Sequence, residues 1–145
     1  MYEKAMVAVD GSQHSFKAVA TAGDLARQGA IKEVILIYVM NFPTPRVMPE
    51  GMSLDFTPAQ YHNELIQAAE VITEKAREQL GPGVNAKVII DSGPAPEMIL
   101  QEAEKHHVDL IIIGNRGLNQ LQKLLLGSVS SRVVSLATCH VLIVK

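Results

Sequence analysis

The chain predicts a doubly wound α/β fold, and three observations carry that expectation. First, five short apolar segments recur along it: Ala5 to Val9, Val34 to Val39, Val84 to Ile90, Leu110 to Ile113 and Val141 to Val144. Most are near-continuous Val/Ile/Leu runs without polar alternation, the pattern of strands covered on both faces in a parallel sheet. Second, Ser15 to Gln28, Pro58 to Leu80, Pro96 to His106 and Ser128 to Leu136 carry helical spacing and alternate with the strands. Third, glycine and proline punctuate the joints.

Taken in order, Val7-Ala8-Val9-Asp10-Gly11-Ser12 ends the first strand, and Ser12 is placed to cap the first helix, which Gly29 stops. The second strand leads into Asn41 to Thr57, an irregular stretch with Pro43, Pro45, Pro49 and Gly51. It reads either as a lid at the carboxyl edge of the sheet or as a surface insertion. Gly81-Pro82-Gly83 ends the long helix, and Gly93-Pro94-Ala95-Pro96 opens the next. The last helix starts at Ser128, itself a plausible N-cap, and the last strand closes the series.

At 145 residues and 48% hydrophobic content, the chain suits one domain with a sizeable core, spanning residues 1–145. A net charge of −2, with 13 basic residues spread along the sequence, argues against nucleic-acid or anionic-membrane partners. No apolar run reaches the length of a membrane span, and the N-terminus enters a strand at once, so a cytosolic location is expected. Cys139 is the only cysteine. An internal disulfide is excluded, and an apolar setting marks it as a small core residue.

Chemistry concentrates after the fourth strand. Gly114-Asn115-Arg116-Gly117, nine residues, then Gly127-Ser128-Val129-Ser130 forms a glycine-rich connection between a buried strand and a helix. Glycines permit positive φ and close backbone approach, while the first amides of the following helix lack intrahelical partners and present the positive end of its dipole. Phosphate is the anion such a site suits best. Neither common phosphate loop is present, since the chain lacks both Gly-x-x-x-x-Gly-Lys-Ser/Thr and a Gly-x-Gly-x-x-Gly after the first strand. Arg116 is placed either to pair with a phosphate or to point to solvent.

At the end of the first strand, Asp10 can accept from ribose hydroxyls, hold a hydrated divalent cation such as Mg²⁺ on phosphates, or simply cap the helix. If the first and fourth strands are neighbours, Asp10 and Gly114 flank the switch-point crevice where such sheets bind ligands. The five histidines form no metal pattern. His106 and His107 read as helix-end residues without a carboxylate partner at ligand spacing, and His14 as a helix residue near Asp10.

These motifs together resemble the ATP-binding branch of the universal stress protein family over essentially the full length. The resemblance rests on Val7 to Ser12, on Val141-Leu142-Ile143-Val144, and above all on Gly114-x-x-Gly117, nine residues, Gly127-Ser128. It implies a five-stranded parallel sheet of order 3-2-1-4-5 with helices on both faces, and a homodimer in which the last strands of two subunits pair. It implies that a triphosphate lies on the backbone of Gly114, Asn115, Gly117, Gly127 and Ser128, with the Ser128 and Ser130 hydroxyls and the Val129 amide nearby. It further implies that Asp10 meets the ribose or adenine side, that Ala8 borders the base, and that the Val39 backbone contacts the adenine edge.

The function this implies is an ATP-binding regulatory protein, a nucleotide-dependent switch acting on an unknown protein partner, with slow hydrolysis at most. No general base other than Asp10 is visible, although phosphoryl transfer asks little covalent help from protein groups. The alternatives are a nucleotide-free dimeric module and a genuine ATPase or phosphotransferase. AMP or a dinucleotide is an alternative ligand.

Overall fold

The structure, a computed structural model, describes residues 1–40, 58–115 and 126–145. Its elements run β1 (Tyr2–Val9), α1 (Gln13–Arg27), β2 (Ile31–Met40), α2 (Pro58–Leu80), β3 (Ala86–Ser92), α3 (Ala95–Lys105), β4 (Leu110–Gly114), α4 (Ser128–Leu136) and β5 (His140–Val144). All five strands are parallel, in the order β3-β2-β1-β4-β5. The order reverses direction between β1 and β4, which makes the carboxyl ends of those two strands the topological switch point. Among the described residues, no helix is long and apolar enough to cross a membrane.

Strand parity sorts the core into two layers. On β1, Ala5, Val7 and Val9 join Val34, Leu36, Leu110 and Ile112 beneath Ala18, Val19 and Ala22 of α1 and Ala76 and Leu80 of α2. Met6, one residue out of phase, joins Ile35, Ile37, Ile111 and Ile113 beneath Ile99 and Ala103 of α3 and Val133 of α4. Because both faces are buried, the central strands carry no polar alternation, and that is why their sequences read as continuous apolar runs. The same parity carries Ala8 and Val39 to the α3/α4 side.

Helix ends follow the local chemistry. Ser12 caps α1, its hydroxyl accepting from the Ser15 N–H at 3.2 Å. Gly29 follows the α1 C-cap with φ +78° and Gly81 follows α2 with φ +81°, the left-handed positions where glycine costs least. Arg27 donates to the Leu80 carbonyl and pairs with Asp24 at 2.6 Å, tying the ends of α1 and α2 together. The expected N-cap at Ser128 is one residue out: Gly127 is the N-cap, Ser128 opens the helix, and no side chain caps it. The strands also run longer than their apolar runs. Edge residues such as Tyr2 and Lys4 pair with Ile31 and Glu33 through backbone hydrogen bonds, which composition does not reveal.

A candidate nucleotide cleft at the switch point

Asp10 follows β1 directly and sits in a tight turn whose central residue, Gly11, has φ +84°. Its Oδ1 accepts from the Ser12 N–H at 2.8 Å, and its own N–H donates to Ser15 Oγ at 3.3 Å. The carboxylate is exposed at the cleft rim, and one oxygen is committed to the start of α1. Asp10 thus braces the turn ahead of the helix, whose cap is Ser12, and still presents its carboxylate at the rim.

Across the switch point, Asn115 follows β4 and is anchored on both sides. Its N–H donates to the Val144 carbonyl at 2.8 Å, and its Oδ1 accepts from the Gly127 N–H at 3.2 Å. The side chain, only 7% exposed, thereby ties the end of β4 to the residue just before α4. Ser130, 3% exposed, donates its hydroxyl to the Gly114 carbonyl at 3.0 Å and makes the same junction a second time. Both side chains brace the frame that aims α4.

Neither motif glycine in the described residues needs a left-handed backbone. Gly127 has φ −58° and ψ 158°, and Gly114 is absent from the positive-φ set. The expectation that the motif uses glycine for positive φ is corrected at these two positions. At Gly114 the reason is steric: a Cβ there would fall on the backbone carbonyl of His14, where the start of α1 crosses β4. Arg116 and Gly117, like the stretch 41–57 that reads as a lid or insertion, lie outside the described residues.

These pieces enclose a cleft of about 190 Å³. Ala8, Asp10, Val39, Gly114, Gly127, Ser128, Val129 and Ser130 all line it. The apolar end is formed by Ala8, Ile37, Val39, Ile99 and Ile113; the polar end, by Asp10, Ser12 and the start of α4. β2 outlasts β1, whose last registered pair is Val9 with Tyr38, so at Val39, which still pairs with Asp91 of β3, β2 has no strand on its β1 side. Among the described residues no side chain caps α4, so the amides of its first turn suit an anionic ligand or water.

Sequence reading missed Ile37, Ala95, Ile99 and Ile113, and assigned Ser12 and Ser15 to the helix alone. Period-two parity from Val39 reaches Ile37, and the helix-opening run Gly93-Pro94-Ala95-Pro96 was the available signal for the α3 wall. Among the described residues lining the cleft, Asp10 is the sole ionisable one. His14 lies outside the lining, half-buried, with Nδ1 enclosed and without a hydrogen-bond partner. His106 ends α3 as its C-cap, as expected, but the expectation that it has no carboxylate partner is corrected: its Nε2 lies 3.2 Å from Oε2 of the buried Glu102, an i, i+4 pair.

Comparison with known proteins agrees with the fold. The universal stress protein YxiE of Bacillus subtilis is 34% identical, with all of both chains covered. The solved structure of MJ0577, from Methanocaldococcus jannaschii, matches with a TM-score of 0.77 at 28% identity, covering 100% of this chain and 96% of that one. Two more distant structures share the fold. A universal stress protein in complex with cAMP has a TM-score of 0.74 at 24% identity, covering 99% and 97% of the two chains. One from Archaeoglobus fulgidus in complex with dAMP has a TM-score of 0.66 at 22% identity, covering 99% and 98%. The model of the universal stress protein family matches residues 1–145, and with this sheet order and these relatives the chain belongs to that family.

Proposed function

We propose that the cleft binds an adenine nucleotide, ATP in the first place, and that occupancy acts as a regulatory switch with slow hydrolysis at most. The observation that carries this reading is the convergence of an uncapped helix start at Gly127 to Ser130 with an apolar slot at Ala8, Ile37 and Val39, across the switch point from Asp10. The base fits the slot, with the backbone of β2 at Val39, open on its β1 side, against its polar rim. The ribose lies towards Asp10, and the phosphates run along the start of α4. A cleft of about 190 Å³ is smaller than the roughly 300–1,000 Å³ of enclosed small-molecule sites, so the phosphates extend out of it onto the helix start. The cAMP and dAMP complexes of the two distant proteins above lend the adenine assignment support.

Each hydrogen bond to a charged phosphate contributes roughly 1.5–3 kcal/mol. A few amides of α4 therefore suffice for micromolar affinity, about 8 kcal/mol. Mg²⁺ would sit on the phosphates near Asp10, neutralising charge there. With Asp10 the only ionisable lining residue among those described, no strong general base faces the γ-phosphate. Turnover should fall far below the enzyme median of about 10 per second. Isothermal titration with ATP, AMP and GTP, with and without Mg²⁺, tests the reading alongside Gly127→Val. The backbone at Gly127 suits any residue, so valine there leaves the fold intact while its side chain obstructs the helix start. ATP affinity unchanged in that variant would remove the phosphate assignment.

A further inference from the structure

A second and larger hollow, about 510 Å³, lies on the α3/α4 face away from the switch point. Its floor is apolar: Leu100 and Ala103 of α3, Val108 just before β4, Ile111 of β4, Leu136 at the end of α4 and Ala137 just after it. Leu136 is 52% exposed at the edge of this floor. Along the rim, Glu97, Gln101 and Glu104 follow one another at i, i+4 and i+7 on α3. That spacing forms a polar stripe beside the apolar one, roughly 10 Å long at 1.5 Å per residue. An apolar floor beside a polar rim that carries the carboxylates of Glu97 and Glu104 complements the two faces of an amphipathic helix.

The charge of the rim selects the occupant. Glu97 pairs with Arg132 at 2.6 Å, but Glu104 is exposed and has no ion-pair partner among the described residues. Among the described residues, no Lys or Arg lines the groove, and His107 is the one basic-capable side chain there. We propose that this groove is a docking surface for a partner protein's amphipathic segment, whose apolar side chains fill the floor and whose Lys or Arg residues meet Glu104 and the neighbouring rim. The proposal stands independently of nucleotide binding, since among the described residues the groove and the cleft at the switch point share no lining.

The chain carries its own reporter. Cys139, the only cysteine, lines the groove and is half-buried. Its alkylation rate by a maleimide therefore reads whether the groove is covered. The probe is a designed helical peptide of about 14 residues, near the usual helix length, with Leu on one face and Lys on the other. A matched Leu/Glu peptide serves as control. The Leu/Lys peptide should slow alkylation at micromolar concentration, and the Leu/Glu peptide should leave it unchanged. Glu104→Lys should weaken the Leu/Lys peptide by about tenfold, which corresponds to about 1.4 kcal/mol, and Gln101→Glu should strengthen it. Both positions are exposed, so the fold is retained, and circular dichroism checks it.

Equal protection by both peptides, no protection, or protection unaffected by Glu104→Lys and Gln101→Glu would each overturn the proposal. A second copy of the chain is the competing occupant. Sedimentation showing that Leu136→Asp dissociates a dimer, together with faster Cys139 alkylation in the resulting monomer, would assign the groove to self-association and overturn the docking of a separate partner.

Discussion

Gly114 carries more constraint than its motif suggests. Its hydrogen lies against the His14 carbonyl, so Gly114→Ala requires β4 and the start of α1 to move apart. Such overpacking in a tight junction costs roughly 1–3 kcal/mol, and a lowered thermal midpoint should report it. Asn115→Ala acts by a different route. It removes the acceptor for the Gly127 N–H, and an unmade buried hydrogen bond costs about 1–3 kcal/mol. The prediction is a loss of stability together with weaker ATP binding, because the start of α4 loses its tether to β4. Stability measured by denaturant and affinity by titration should fall together; affinity unchanged at reduced stability would mean that the tether does not aim the helix. The spacing of the glycine motif was legible in the sequence, but these two roles were not. Contact between Gly114 and His14 joins residues distant in sequence, and the Asn115 bond depends on a side-chain direction that spacing does not specify.

Helix ends provide the next level. The sequence located α2 and α4 at their observed bounds, because Gly81-Pro82-Gly83 and Gly127 leave little choice about where those helices begin or stop. α1 and α3 begin earlier than their apolar spacing suggests, at Gln13 and Ala95, since polar and proline residues fill a first turn without belonging to the buried face. Between α3 and α4, Glu97 and Arg132 form the one ion pair linking the two helices among the described residues. The Glu97 carboxyl is held below its ordinary range first by its own backbone N–H at the start of α3, then by the Arg132 side chain. A carboxyl lowered in the folded state stabilises the fold above its unfolded pKa, about 4.3 for Glu, and that contribution fades as pH falls through the folded value. Glu97→Gln should therefore narrow the gap between denaturation midpoints at pH 7 and at pH 3, while leaving the pH 3 midpoint nearly unchanged. Equal losses at both pH values would show that packing, not charge, explains the residue. In the same region, burial pushes the Cys139 thiol up, so its alkylation should accelerate only at higher pH than that of an exposed cysteine.

For the molecule as a whole, sheet order decides where function can reside. Strand runs and their alternation with helices made the α/β class readable from the sequence, while the order 3-2-1-4-5 followed from family resemblance and is the order observed. Periodicity alone specifies strands but not their neighbours, because buried parallel strands present the same apolar face to any partner. β5 lies at one edge with β4 on one side only, and Val141 to Val144 remain partly exposed. Such an edge is suited to pairing with another copy. We expect a dimer near twice the 15.7 kDa chain mass by sedimentation at micromolar concentration, and a monomer would reject it.

The central claim is that the cleft between Asp10 and the start of α4 holds an adenine nucleotide. The most direct test is to denature the purified protein, identify any released small molecule by mass, and titrate the emptied protein with ATP, AMP and GTP in Mg²⁺. The account predicts bound adenine nucleotide or micromolar ATP affinity that exceeds GTP affinity, lost in Gly127→Val, with turnover far below one event per second, under the enzyme median of about 10 per second. No released nucleotide and no detectable binding of any of the three would contradict it, leaving the glycine junction as structural support for the sheet.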